Sequence, residues 1–147
     1  SIMLEENKVV TIKNYNFLCE EERYIRKEVF MKEQGFKNEF DELDNKVSHV
    51  VLFLGEKPIG TGRLLPGKNN MTFVIGRVAV LKQYRQLHLG SKIINSLEEK
   101  AKELDGTSIE LSAQCSAQGV YEKLGYTTSG EAYLDESCEH IHMEKQL

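Results

Sequence analysis

The residues best placed to do chemistry run from Gly76 to Ser91, in the order Gly76-Arg77-Val78-Ala79-Val80-Leu81-Lys82-Gln83-Tyr84-Arg85-Gln86-Leu87-His88-Leu89-Gly90-Ser91. An apolar run passes through a basic loop into the first turn of a helix, with Gly90 at its entry. The first N–H groups of a helix lack intrahelical acceptors and lie at the positive end of its dipole, so this arrangement can cradle a phosphate. Arg85, Lys82 and Lys92 could add charge-assisted contacts. Neither GxxxxGK(S/T) nor GxGxxG is present, which argues against a P-loop NTPase or a Rossmann enzyme. The same spacing also fits a structural strand-to-helix turn with solvated basic residues.

Charge supports a compact anionic ligand. The chain of 147 residues has net charge -4, yet residues 57–97 hold no Asp or Glu and carry Lys57, Arg63, Lys68, Arg77, Lys82, Arg85 and Lys92. A DNA-type polyanion binder is normally basic overall, so no nucleic-acid partner is expected. A basic middle in an acidic chain fits a small anion better, a solvated basic face being the alternative. The 3 cysteines, Cys19, Cys115 and Cys138, are far apart and form no CxxC pair. They read as free thiols of a reducing, cytoplasmic compartment, and no metal is expected. The densest apolar run, residues 50–54, is strand-sized, and Glu5 and Glu6 stand where a signal peptide carries positive charge. No membrane partner is expected.

A second candidate lies at Tyr121. Ala117, Val120, Tyr121 and Leu124 fall at i, i+3, i+4 and i+7 on a short helix closed by Gly125. That spacing fits a core tyrosine as well as a phenol facing a site. Cys115 precedes this helix, whose N-terminus could lower a thiol pKa. No His–acid pair accompanies it, so a small buried cysteine is the favoured reading.

These segments together resemble the GNAT N-acetyltransferase superfamily, in its ElaA-like branch. Arg85-Gln86-Leu87-His88-Leu89-Gly90 is similar to its acyl-CoA signature of Arg or Gln, two residues, Gly, one residue, then Gly or Ala. Arg77-Val78-Ala79-Val80 resembles the strand beside the pantetheine arm, and residues 117–126, AQGVYEKLGY, resemble its A-x-x-F-Y-E-K-L-G-F segment. Residues 26–34, then Asp41, Asp44 and His49, with Gly130-Glu131 and His140, resemble the ElaA-like branch. The pieces occur in order over nearly the whole chain. His88 departs from the pattern by standing where the family has glycine. If the position needs positive φ or brings backbone against the pyrophosphate, a histidine costs more than glycine there, and cofactor binding is expected to survive in weakened form.

The resemblance implies transfer of an acetyl group from acetyl-CoA to a primary amine by direct attack in a ternary complex. Val78, Ala79 and Val80 would meet the thioester and pantetheine. Arg85, Gln86, Leu87, His88, Leu89, Gly90 and Ser91 would meet the pyrophosphate. Tyr121 would protonate the departing thiolate. Many relatives carry a glutamate base on the strand leading to the signature, but residues 71–80 hold no carboxylate. Glu33, His49, Glu131 and His140 remain as base candidates, with Glu33 and His49 ranked first. The acceptor is a small-molecule or peptide amine, and an unpaired sheet edge in such a fold offers a homodimer surface. A catalytically weak or inactive acyl-CoA-binding module is the alternative reading, motivated by His88 and the missing strand carboxylate.

The elements that position these residues follow from periodicity. Residues 9–13 alternate and are β-branched, so they form a strand. Residues 21–34 place Ile25, Val29 and Phe30 on one helical face and stop at Gly35. Residues 36–47 read as an acidic, aperiodic loop; a merely exposed loop is the default reading, with attraction of a cationic amine the alternative. Residues 48–54 and 59–65 form a hairpin, and residues 71–81 a strand interrupted by Gly76, which marks a bulge or a close approach. Ile93, Ile94, Leu97, Ala101 and Leu104 share one face of a helix beginning near Gly90. Residues 109–112 and 139–145 are strands flanking the Tyr121 helix. The expected fold is a single α/β domain over residues 1–147, a mixed and, by the resemblance, mostly antiparallel sheet with helices on both faces.

Overall fold

A computed structural model describes residues 8–37 and 39–147; Glu5 and Glu6 lie outside them. The strands are β1 Val10–Tyr15, β2 Ser48–Leu54, β3 Lys57–Pro66, β4 Thr72–Val80, β5 Ser108–Gln114, β6 Thr127–Asp135 and β7 Cys138–Gln146. They form one sheet in the order β1-β2-β3-β4-β5-β7-β6. Every neighbouring pair is antiparallel except β4 and β5, which run parallel. The helices are α1 Glu20–Arg26, α2 Leu89–Glu103 and α3 Gln118–Lys123.

Both faces of the central strands are covered, as expected, and Val50 to Leu54 are buried throughout. On one face α2 buries Ile93, Ile94, Leu97 and Ala101. It sits unusually close to β3, because a Cβ on Gly60 or Gly62 would come within 2.9 or 2.8 Å of Ile93. The two glycines therefore set the helix-to-sheet distance. On the other face His49 and Arg63, paired across β2 and β3, reach Glu22 of α1 and Asp44.

Three local features differ from the sequence reading. The helix predicted over residues 21–34 is α-helical only to Arg26 and continues as a π-helix over Lys27–Glu33. The segment read as an aperiodic acidic loop contains a 3-10 helix, Glu42–Asn45, whose start is closed by a reciprocal capping box between Asp41 and Asp44. Strand β6 had no counterpart in the sequence reading. All nine of its residues are exposed, and its register with β7 shifts between Ser129 and Tyr133, so it lacks the apolar alternation that betrays a buried strand.

Candidate active site

The parallel strands β4 and β5 pair only from Thr72 with Ser108 to Ile75 with Leu111. Beyond that point β4 stays with β3 as far as Val80, while β5 stays with β7 as far as Gln114. The facing edges therefore part into a cleft of about 700 Å³. A bulge marks the start of the parting: the β3 register steps from Thr61 opposite Ala79 to Arg63 opposite Gly76. Arg77 adopts φ 54°, rare for a residue with a side chain. The bulge expected at Gly76 thus falls on its neighbour. Val78, Ala79 and Val80 follow and line the cleft along an edge of β4 that has no strand partner.

After β4 the chain turns through the 3-10 segment Lys82–Leu87, and His88, at φ 57° and ψ 28°, joins it to α2. The position does require the left-handed region, and a histidine occupies it. No acidic residue stands in the first turn of α2. A Cβ at Gly90 would meet nothing within 4 Å, and the first N–H groups of this turn have no intrahelical acceptor. Its residues fit a phosphate-bearing ligand. Gln86 to Ser91 lie outside the cleft lining, at the head of α2, whereas Arg85 lines the cleft itself. Arg85 departs from expectation: its Nε donates to the Val80 carbonyl at 2.8 Å, and its two terminal nitrogens hold Glu33 at 2.5 and 2.6 Å. The side chain is directed at Glu33 and Val80 instead of serving as a free phosphate contact.

The profile of the acetyltransferase (GNAT) domain matches residues 18–147. The chain belongs to the GNAT acetyltransferase family. A Bacillus subtilis protein named as an acetyltransferase is 38% identical over 128 residues, covering 83% of this chain and 85% of that one. The N-acetyltransferase YjcF of the same organism is 37% identical over 127 residues, covering 83% and 88%. Among solved structures, an N-acetyltransferase from Lactobacillus plantarum superposes with TM-score 0.85 at 28% identity, covering 95% of this chain and 99% of that one. Escherichia coli ElaA shares the fold with TM-score 0.81 at 22% identity, covering 93% and 99%. Membership makes the chain an acyltransferase that uses a CoA-linked acyl donor.

Within this GNAT cleft Tyr121 and His140 stand together in the lining, while Glu33 and His49 do not. Tyr121 projects from α3, half-buried, and its ring meets the Tyr126 ring edge to face with centroids 5.8 Å apart. Burial pushes its phenol up to about 12, so it holds its proton at neutral pH. Glu33 lines a neighbouring groove with Lys82, and the Arg85 hydrogen bond holds its carboxyl below the usual range. That is the wrong direction for a base. His49 is fully buried, with Nδ1 at 2.8 Å from Glu22 and Nε2 at 2.7 Å from the Asp44 carbonyl oxygen. Neither ring nitrogen is free, which removes His49 from the candidate bases. Glu131 lies exposed on β6, outside the cleft lining.

His49 belongs to a buried network that the sequence reading missed. Arg26 contacts Glu22, Glu39 and Asp44, each at 2.8 Å. Arg63 contacts Asp41 at 2.9 Å and Asp44 at 2.8 Å, and Arg77 contacts Glu39 at 3.0 Å. Both His49 nitrogens face acceptors, and three arginines face the four carboxylates Glu22, Glu39, Asp41 and Asp44. Asp41, Asp44 and Glu39 thus engage arginines within the fold, where the sequence suggests an exposed acidic loop. Apart from Glu22 and Arg26 at i, i+4, the ion-paired partners stand 13 to 38 residues apart, a spacing that no local periodicity reveals.

Proposed function

We propose that the chain is an N-acetyltransferase that moves an acetyl group from acetyl-CoA to a primary amine by direct attack in a ternary complex. The observation that carries this reading is the place of Tyr121, a protonated, half-buried phenol in the cleft where β4 and β5 part. Acetyl-CoA lies with its pyrophosphate against the turn into α2, Gln86 to Ser91, and its thioester against the free edge of β4 at Val78, Ala79 and Val80. Backbone N–H groups of that edge polarise the thioester carbonyl. The neutral amine attacks the carbonyl carbon, the C–S bond breaks, and Tyr121 gives its proton to the departing thiolate. The proton shed by the new amide nitrogen returns to Tyr121.

No helix among the described residues is long and apolar enough to cross a membrane. Our reading places the enzyme in the cytoplasm, acting on a small-molecule or peptide amine, without a nucleic-acid partner and without a metal. The fully exposed edge strand β6 offers a surface for a homodimer.

The test is thermal unfolding with acetyl-CoA, CoA or ATP, followed by a thiol-release assay with a panel of amines. Ligand at ~100 times its dissociation constant adds ~2.7 kcal/mol, so both CoA species are expected to raise Tm while ATP does not. Amine-dependent thiol release then separates an enzyme from a CoA-binding module, which gives the same thermal shift and no thiol.

A further inference from the structure

Amines are protonated in water, and an ammonium ion has no lone pair with which to attack a thioester. The strand leading into the cofactor loop carries no carboxylate to take that proton, Glu33 is held by Arg85, and His49 is sealed away. His140 is differently placed. It stands on β7 opposite Gln114 of β5 and Tyr133 of β6, is 7% exposed, and lines the cleft together with Tyr121.

Its Nδ1 lies 2.8 Å from the Cys138 carbonyl oxygen. A carbonyl can only accept, so Nδ1 bears the proton and the lone pair of the neutral ring is on Nε2. No described residue makes a hydrogen bond or an ion pair with Nε2. The Tyr133 ring stacks on the imidazole with centroids 6.1 Å apart and planes 26° apart, and the Tyr133 hydroxyl is itself tied to Ser112. One neighbour thus fixes the tautomer and another fixes the plane, which is the arrangement that orients a histidine base.

We propose that His140 is the general base of the acetyl transfer, taking a proton from the acceptor ammonium on Nε2. This inference rests on the N-acetyltransferase reading above. The ammonium N–H bond breaks with its electron pair left on nitrogen, and His140 becomes imidazolium. The free amine then attacks, and the imidazolium later releases its proton to water. Tyr121 and His140 divide the work, one giving a proton to sulfur and the other removing one from nitrogen.

The charged and titratable groups around His140 are Tyr133 and Asp135 of β6, Glu136 of the turn that follows, Cys138 and Glu139 of β7, and Tyr121 of α3, with Glu39, Arg77 and Arg85 further along the lining. Asp135 and Glu136 are exposed carboxylates that line the same cleft. They draw the cationic amine inward, whereas His140 handles the proton.

The experiment measures kcat/KM from pH 6 to 10, roughly the range over which imidazoles and amines change charge, for primary amines of graded basicity, from alkylamines to trifluoroethylamine. It compares wild type, His140→Asn, His140→Gln and Asp135→Asn/Glu136→Gln. The asparagine amide retains a donor for the Cys138 carbonyl but has no Nε2. The expected result is a loss of about 10²-fold or more with basic amines at neutral pH, a loss that shrinks as pH rises and nearly vanishes for trifluoroethylamine, which is already free. The acidic-turn variant is expected to raise acceptor KM and keep the wild-type pH profile. A uniform loss at every pH and for every amine, with Tm unchanged, overturns the proposal, as does transfer of the pH dependence to the Asp135/Glu136 variant. Should both His140 variants fail to fold, ¹⁵N-histidine NMR of the unaltered protein decides: a neutral Nδ1–H tautomer is expected, and an Nε2–H tautomer overturns the assignment. If wild type is stabilised by acetyl-CoA yet releases thiol with no amine, the N-acetyltransferase reading fails and the role of His140 falls with it.

Discussion

Tyr121 and Tyr126 meet edge to face, with ring centroids 5.8 Å apart and planes at 78°. Tyr126 is nearly fully buried, and its hydroxyl donates to Glu98 of α2 at 2.7 Å, where Lys145 of β7 also binds both carboxylate oxygens at 3.1 Å. Burial, and then the bond to Glu98, raise the Tyr126 phenol, so it remains a donor. The cleft tyrosine is thereby fastened through one aromatic contact to α2 and β7. Tyr126→Phe keeps the ring and loses only the bond to Glu98, which Lys145 still satisfies. It is expected to cost ~1 kcal/mol, roughly 3 °C in Tm, with little change in kcat. Tyr126→Leu removes the ring edge as well and is expected to lower kcat; Tm and kcat measured on both variants check this.

Glu33 and Arg85 make a second prediction. Each side chain is about one-third exposed, 34% and 35%, so solvent screens the pair despite its short contacts. Glu33→Gln is expected to change stability by less than ~1 kcal/mol. Its pH–rate profile is expected to match wild type, because a carboxyl held low by Arg85 is ionised throughout the working range. A variant profile that loses its acid limb would make Glu33 the base after all.

Asp44 predicts acid sensitivity. Burial alone would raise its carboxyl, but the hydrogen bond from Arg26, the capping contact with the Asp41 backbone and Arg63 together hold it at about 2 against an ordinary 3.8. A folded-state value below the unfolded one stabilises at pH above 3.8 and loses that contribution as pH falls toward 2. The contribution is ~2 kcal/mol. Glu39 works in the opposite direction, since burial pushes it up. The stability gap between wild type and Asp44→Asn, followed by thermal unfolding, is expected to narrow from pH 4 to pH 2; a gap of constant size would contradict the assignment.

His88 already holds φ 57° in the structure. The left-handed strain is therefore charged to folding and not to cofactor binding. His88→Gly relieves a left-handed cost of about 1 kcal/mol and gives part of it back through a looser unfolded chain. A Tm rise of no more than ~2 °C is expected, with acetyl-CoA affinity within about twofold of wild type. A tenfold gain in affinity would show that the side chain obstructs the loop.

What was legible in the sequence was what local spacing encodes. The Ile93, Ile94, Leu97 and Ala101 stripe marked α2, Gly76 marked the bulge to within one residue, and the Arg85–Gly90 run marked the loop entering α2. Strand β6 was not legible, since an exposed edge strand with Gly130 at φ 80° shows no apolar alternation. Nor was the fate of the histidines: His49 and His140 both sit in strands, and only long-range contacts with Glu22 in one case and the open cleft in the other separate them. The π-helical turn at Lys27–Glu33 shares the apolar spacing of an ordinary helix over so short a span.

The single-turnover rate of thiol release from wild type and Tyr121→Phe, each saturated with acetyl-CoA and the best amine, isolates the proton that Tyr121 gives to sulfur. With the Tyr126 contact retained by phenylalanine, the variant is expected to bind acetyl-CoA within about twofold of wild type and to react ~10²-fold more slowly. Equal single-turnover rates in the two proteins would mean that Tyr121 is not the acid that protonates the thiolate.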